Sequence, residues 1–255
     1  MSNVHVAVKD HVATVTMNRT PVNAIGLDMR QELIRVFDAM PDRDDVRAVV
    51  LTGAGKFFSA GADIKERTRL TGEPGEYSVL NRLAREMFYA VLECPKPVVA
   101  AVNGTALGAG MALALCCDIL VASEDAVFGM PEIDVGLAGG VKYLQRHFTP
   151  SKARRLLLTG QRIPAAELYR LGVLEACVSP EKVMDEAMAI AHAIASKSPL
   201  SIRMLKDSFN MVENLSLRDG YRLEQNVTRA MSKTADAQEA QRAFVEKRKP
   251  VFTGT

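Results

Sequence analysis

The sequence predicts an α/β fold, and three observations carry that expectation. Ala48-Val49-Val50-Leu51 and Pro97-Val98-Val99-Ala100-Ala101-Val102 are continuous apolar runs, the pattern of strands buried on both faces. Each run gives way to a Gly-rich loop and then to a helical segment, the order of an α/β core. Beyond Pro150 the strand pattern nearly vanishes and helical periodicity takes over.

The elements follow in chain order. Val4, Val6 and Val8 share one face of a first strand, Lys9-Asp10-His11 turns the chain, and Ala13, Val15 and Met17 form the apolar face of a second. Residues 23–40 read as one helix, with Leu33, Ile34, Val36, Phe37 and Met40 on its apolar side. The strand at Ala48 ends in Gly53-Ala54-Gly55-Lys56, and a charged helical segment begins at Asp63. Asn103-Gly104 closes the strand at Pro97, and a small-residue helix spans residues 109–117. Ile119-Leu120-Val121-Ala122 and Ala126-Val127-Phe128-Gly129-Met130 are further strands. Helices are expected over residues 151–158, 165–171, 180–196, 199–212 and 216–243, with Ser179-Pro180 and Ser198-Pro199 marking two starts. A boundary near Pro199 divides a core of residues 1–198 from a helical region, residues 199–255, expected to pack on a neighbouring subunit.

Composition narrows the function classes. At 255 residues and 48% hydrophobic, the chain suits one large domain or a core with an appended subdomain. Thirty-two basic against thirty acidic residues leave a formal charge of +2, which gives no electrostatic footprint for nucleic acid. The longest apolar region, residues 97–122, is interrupted by Asn103, Asp118 and three glycines. A bilayer span wants about 20 predominantly apolar residues, so no membrane segment is expected. The start, Met1-Ser2-Asn3-Val4-His5, lacks the basic and apolar pattern of a signal peptide. Cys94, Cys116, Cys117 and Cys177 show no CxxC spacing and are expected as buried thiols in a reducing, cytoplasmic compartment. The four histidines form no ligand pair at helical spacing, so no metal site is expected.

Three segments carry the chemistry. In Phe57-Phe58-Ser59-Ala60-Gly61-Ala62-Asp63-Ile64-Lys65-Glu66, small residues let a ligand approach a backbone that is turning into a helix, where N–H groups lack intrahelical partners. Such a turn can donate to an anion or a polarised oxygen. On spacing alone, a tight turn with no ligand is an equal reading. Asn103-Gly104-Thr105-Ala106-Leu107-Gly108-Ala109-Gly110-Met111-Ala112 repeats the device, and close helix packing is its plain alternative. It matches neither G-x-G-x-x-G nor the P-loop. The third segment, Phe128-Gly129-Met130-Pro131-Glu132-Ile133-Asp134-Val135-Gly136, sets carboxylates among apolar and glycine residues. If buried, such an acid would be raised towards a pKa suited to proton transfer, whereas a turn or capping carboxylate is the commoner role.

In order and spacing the three segments resemble the crotonase superfamily, the enoyl-CoA hydratase/isomerase family. Ser59-Ala60-Gly61-Ala62-Asp63-Ile64-Lys65-Glu66 resembles its first oxyanion loop, and Asn103-Gly104-x-Ala106-Leu107-Gly108-x-Gly110 with Cys117-Asp118-Ile119 its second. Phe128-Gly129-Met130-Pro131-Glu132-Ile133 resembles its catalytic-acid segment, and Ala243-Phe244-Val245-Glu246-Lys247-Arg248-Lys249 its tail. The likeness spans nearly the whole chain.

The resemblance implies a spiral of ββα units with a helical C-terminal trimerisation region, assembled as a homotrimer or hexamer. It implies an acyl-CoA thioester as substrate, with coenzyme A arriving as part of it and no separate cofactor. The backbone N–H groups of Ala62 and Ala109 would hold the thioester carbonyl, and Glu132 would move the proton, with Asp134 a weaker candidate. Ala24 and Ala60 match adenine-site positions, and Phe244 and Lys247 match tail residues near the adenine and the 3′-phosphate. The family's other hydratase glutamate falls at Ala112, which has no acid–base group. Single-glutamate isomerisation or hydration is therefore the expected activity. Thioester hydrolysis, C–C cleavage and non-catalytic acyl-CoA binding remain alternatives.

Overall fold

The computed structural model describes residues 2–255, with Met1 outside the described residues and the Arg67 side chain left aside. The chain opens with β1 (Val4–Lys9) and β2 (Val12–Met17), an antiparallel hairpin. It continues through α1 (Leu27–Asp38), β3 (Ala48–Gly53), β4 (Phe57–Ser59), α2 (Ile64–Arg67), α3 (Glu76–Leu92), β5 (Val98–Val102) and β6 (Thr105–Leu107). Then come α4 (Ala109–Leu115), β7 (Ile119–Ser123), β8 (Val127–Gly129), a 3-10 turn (Pro131–Val135), α5 (Val141–His147), α6 (Pro150–Thr159) and β9 (Ile163–Pro164). The chain closes with α7 (Ala165–Arg170), β10 (Ala176–Val178), α8 (Val183–Ala195), α9 (Pro199–Val212), α10 (Leu217–Met231) and α11 (Ala235–Val245).

Two sheets organise these elements. The larger runs β1-β2-β3-β5-β7-β10, with β2, β3, β5, β7 and β10 parallel. Its central strands β3 and β5 are buried throughout, as their unbroken apolar runs require. One face packs on the main core, in which Met29, Leu33 and Phe37 of α1 meet Met87 and Val91 of α3. The other is covered by α8 through Val183, Ala187, Ala191 and Ala195, small residues that let helix and sheet approach closely.

The smaller sheet, β4-β6-β8-β9, positions the functional loops. β4 pairs in parallel with β6, and β6 with β8. Parallel strands deliver their C-terminal ends on one side. Ala60, Gly108 and Met130 therefore leave adjacent strands at the same edge.

Several expectations change. The helix expected from Asn23 begins at Leu27, because Asn23 is in the left-handed region at φ 50° and Ile25 forms a β-bridge to Ala62. The single helix expected over residues 216–243 is two, separated at residues 232–234, where Thr234 Oγ1 accepts the Ala237 N–H to cap α11. α3 and α5 arise where the sequence reading places no helix, and β4, β6, β9 and β10 are only two or three residues long, too short for periodicity to register. No helix among the described residues is long and apolar enough to cross a membrane.

α9 is tied to the core by Lys206, whose Nζ donates to Asp118 Oδ2 at 2.8 Å and to the Lys96 carbonyl at 3.2 Å. The Lys206 side chain is 4% exposed, so the charge depends on its partner. Asp118→Asn is expected to cost about 3 kcal/mol by leaving a buried cation without its counterion. Urea unfolding checks this as a lower midpoint with an unchanged slope.

Candidate active site

The first loop is shaped by buried polar groups upstream of it. Asn23, fully buried, accepts the Arg19 N–H through Oδ1 at 3.0 Å and donates through Nδ2 to the Ala54 and Phe57 carbonyls at 2.9 and 2.8 Å. Ser59 Oγ donates to the Asn23 carbonyl at 2.7 Å and accepts the Gly61 N–H at 3.1 Å. The Ala60 N–H donates to the Val22 carbonyl at 2.9 Å, which lays Ala60 beside the residues just before Ala24. Beyond it, the Ile25–Ala62 bridge uses the Ile25 N–H to the Gly61 carbonyl at 2.8 Å and the Asp63 N–H to the Ile25 carbonyl at 3.2 Å. Both bonds bypass the Ala62 N–H.

Downstream, Asp63 and Glu66 anchor the loop. Asp63 Oδ2 accepts from Arg19 at 2.6 Å, and its Oδ1 accepts the Lys65 N–H at 2.9 Å. Glu66 accepts the first N–H of α1, that of Leu27, at 2.8 and 3.1 Å. Burial alone would raise the Asp63 carboxyl, but the Arg19 guanidinium and the Lys65 N–H outweigh it and hold the pKa below the ordinary value. A lowered folded pKa stabilises the protein fully above the unfolded value, about 3.9, and that gain disappears as pH falls through the lowered value. The stability gap between wild type and Asp63→Asn should therefore be constant above about pH 5 and close below about pH 4, as read from urea midpoints at each pH.

The second loop meets the first. Asn103 Oδ1 accepts the Gly53 N–H at 3.2 Å, and its Nδ2 donates to the Gly55 carbonyl at 2.8 Å. Gly61 sits at φ 91°, and a Cβ there would lie 2.6 Å from the Leu107 carbonyl oxygen and 3.2 Å from Ala109 N. Only glycine fits that approach, which sets the two loops side by side. Ala109 is the first residue of α4, so its N–H has no carbonyl four residues back within the helix.

Glu132 completes the cluster. The Gly108 N–H donates to the Gly129 carbonyl at 2.8 Å, bringing the second loop against the end of β8. Pro131 opens the 3-10 turn that carries Glu132, and the Leu137 N–H closes on the Glu132 carbonyl at 2.9 Å. A Cβ at Gly108, itself at φ 52°, would lie 2.5 Å from Glu132 Oε1, and Glu132 Oε2 is out of solvent contact. Asp134, on the same turn, is exposed, and a Cβ at Gly160 would lie 2.8 Å from its Oδ1.

Two cavities meet at Ala62 and Glu132. One, of 480 Å³, is lined by Ala60, Ala62, Gly108, Glu132, Asp134 and Arg162, among others. The second, of 320 Å³, is lined by Arg30, Ala62, Ala109, Ala112, Glu132 and Tyr143, among others. Ala112 is almost fully buried in that wall. Ala60, Ala62, Ala109 and Glu132 are thus brought together, with Ala24 adjacent. Phe244 and Lys247 are exposed and line neither cavity. Among the described residues, no three His, Cys, Asp or Glu side chains are grouped so as to hold a metal ion. Burial pushes the Cys116 thiol up to about 12 and Cys117 well above its usual value, so both stay protonated and neither is a ready nucleophile.

Ala62, Ala109 and Glu132 thus line one cavity, and Ala62 and Glu132 line the other as well. The comparisons with known proteins agree on the class of this protein. The family model for enoyl-CoA hydratase/isomerase matches residues 7–255. A Dictyostelium discoideum protein, "Probable enoyl-CoA hydratase, mitochondrial", is 38% identical and aligns with 96% of this chain and 88% of its own. The short-chain-enoyl-CoA hydratase of Clostridium acetobutylicum is 37% identical over 98% of this chain and 97% of its own. The crystal structure of enoyl-CoA hydratase from Bacillus anthracis superposes with a TM-score of 0.95 at 33% identity, covering 99% of this chain and all of that one. The chain belongs to the enoyl-CoA hydratase/isomerase family, the crotonase superfamily.

Sequence reasoning passed over Asn23 and Ser59 as scaffold and Arg30, Tyr77, Asn81 and Tyr143 as cavity wall. Asn23 and Ser59 belong to polar, turn-prone types, but their partners are distant in sequence. Arg30, Tyr77 and Asn81 lie on α1 and α3, and only the packing of those helices brings them to the site.

Proposed function

We propose that this protein is an acyl-CoA enzyme that moves a proton on an enoyl-CoA thioester by way of an enolate, using Glu132 as its one proton carrier. The observation that carries the reading is that Ala62, Ala109 and Glu132 line one cavity, which shares Ala62 and Glu132 with the other. The N–H groups of Ala62 and Ala109 donate to the thioester oxygen, and those bonds strengthen as negative charge develops there. One comparable donor is worth about 3 kcal/mol of transition-state stabilisation in other enzymes. Glu132 takes a proton from carbon next to the carbonyl or further along the conjugated chain and returns it elsewhere, which shifts the double bond. The same carboxylate can deliver a water proton in hydration.

Ala112 separates these outcomes. It stands in the cavity wall with Glu132, where a second carboxylate would help orient water. Its methyl favours isomerisation over hydration. The 480 Å³ cavity, which includes Ala60, suits the pantetheine arm, with Ala24 towards the adenine, and the 320 Å³ cavity suits the acyl chain. Coenzyme A enters as part of the substrate, and no separate cofactor is needed for this chemistry.

Phe244 and Lys247 would serve the coenzyme from the tail of a neighbouring copy, since within one chain they line neither cavity. Exposed Leu205, Phe209, Leu217 and Tyr221 on α9 and α10 support a homotrimer or hexamer built through residues 199–255. A cytoplasmic setting fits free thiols at Cys94, Cys116 and Cys117, which are buried, and at Cys177, which is only half-buried where burial was expected.

The test is a panel of enoyl-, 3-hydroxyacyl- and 3-oxoacyl-CoA thioesters followed by product mass. Unchanged mass with a moved double bond is expected. Gain or loss of water would assign hydration, and free CoA would assign hydrolysis. Binding without turnover of any member would overturn the enzyme reading.

A further inference from the structure

Residues 246–255 fold back along α11 and are fastened to it at two places. Asp236, in the first turn of α11, is 1% exposed. Its Oδ1 accepts the Thr253 N–H at 2.8 Å and its Oδ2 accepts the Ser198 hydroxyl at 2.6 Å. The Gly254 N–H is shared between the two oxygens at 3.2 and 3.1 Å. The Asp236 N–H in turn donates to the Thr255 carbonyl at 3.0 Å. Ser198 caps α9, so one buried carboxylate joins α9, α11 and residues 253–255. One turn further along α11, Glu239 holds Arg248 through two guanidinium nitrogens at 2.5 and 3.0 Å and accepts the Val251 N–H at 3.0 Å.

Lys247 stands in the turn between α11 and these ties. It is in the left-handed region at φ 53°, where its N–H donates to the Phe244 carbonyl at 3.3 Å and the Arg248 N–H to the Ala243 carbonyl at 3.0 Å. Glycine is the usual residue in a helix-ending turn of this kind, so a lysine there needs surroundings that hold it. Its neighbours are ion-paired, Glu246 with Arg248 and Arg248 with Glu239. The Lys247 side chain is exposed, and its ammonium has no hydrogen bond or ion pair among the described residues. Phe244, one turn back, is 85% exposed. Binding through an exposed lysine costs the freedom of its backbone and side chain, and fixing the backbone beforehand lowers that cost. We propose that Asp236 and the Glu239–Arg248 pair are positioning residues for the coenzyme, locking the turn that presents Lys247 and Phe244 to its 3′-phosphate and adenine. This assignment rests on the reading of Phe244 and Lys247 as coenzyme contacts.

The test is calorimetric titration of the intact protein with butyryl-CoA, its 3′-dephospho form and butyryl-pantetheine. The 3′-phosphate is expected to tighten wild-type binding about tenfold, the scale of one charge-assisted hydrogen bond. Lys247→Met should erase that gain by removing the charge. Arg248→Met and Asp236→Asn keep the Lys247 charge, yet each should cut the gain to about threefold or less, with butyryl-pantetheine affinity unchanged. Arg248→Lys, which restores the charge without the paired donors, should recover part of the gain. Arg248 is exposed where Asp236 is buried, so its variants read the effect in a folded protein. A full gain in Arg248→Met, or an equal loss of affinity for all three ligands, would overturn the positioning role alone. No gain from the 3′-phosphate in wild type, or a gain that survives Lys247→Met, would remove the coenzyme reading of Lys247, and the positioning role with it.

Discussion

Replacing Glu132 by Gln is expected to lower kcat by about 10²- to 10⁴-fold, the range a positioned general acid–base group contributes. Glutamine keeps the size and one acceptor of the side chain but cannot exchange a proton at the working pH. The Gly108 approach, the Pro131 turn and the Leu137 N–H to Glu132 carbonyl bond involve backbone and shape, so they persist in the variant. Acyl-CoA affinity should stay within about threefold of wild type, because the N–H groups of Ala62 and Ala109 are untouched. Steady-state kinetics and calorimetry separate the two quantities. Full activity in this variant would remove Glu132 from the mechanism and turn attention to Asp134 on the same turn.

Gly108→Ala is expected to act nearly as strongly without touching a proton-carrying group. Its Cβ would stand 2.5 Å from Glu132 Oε1, well inside contact distance, and the backbone there is at φ 52°. A backbone collision would break the fold, but this one is with the end of a flexible side chain. The carboxylate swings aside and the protein folds, at a cost of about 1–3 kcal/mol for holding alanine at φ 52° and ψ −124°, a conformation glycine adopts freely. Misplacing a catalytic group by about 1 Å costs on the order of 10²-fold in rate. The signature is a fall in kcat with KM nearly unchanged, alongside a modest drop in the urea midpoint. An unchanged kcat would mean that Glu132 works from another rotamer.

The three chemical segments were readable in the sequence because their information is local. Glycine at 61 and 108 announces close approach or positive φ, and a carboxylate behind Met130-Pro131 stands out among apolar neighbours. The central strands were readable for the same reason, since burial on both faces leaves an unbroken apolar run at 48–51 and 97–102. What escaped depends on distant pairing. β4 and β6 are three residues each and exist because they pair with one another and with β8, not because their own residues demand extension. α3 was missed although its apolar residues Met87, Phe88 and Val91 are buried, for its first two turns are largely exposed and blur the period. Asn23 shows the limit from the other side. Its residue type allows the left-handed turn, but only its bonds to Ala54 and Phe57 reveal that α1 must wait until Leu27.

The parts of the site differ in how the chain secures them. In the proposed site the two N–H donors are backbone groups, set by glycine approaches, by buried Asn23 and Ser59, and by Asn103. The proposed proton carrier, Glu132, is a single side chain on a short turn. From α4 the cavity is lined by Ala109 and Ala112, so a small methyl stands at 112.

The central claim is that the site forms an enolate and that Glu132 carries the proton. Exchange of the α-hydrogens of a saturated acyl-CoA in D2O, followed by mass spectrometry, reads that step without any net reaction. The account predicts exchange with wild type well above the buffer rate and a loss of about 10²-fold or more in Glu132→Gln. No exchange with a bound thioester, or equal exchange in the two proteins, would contradict it.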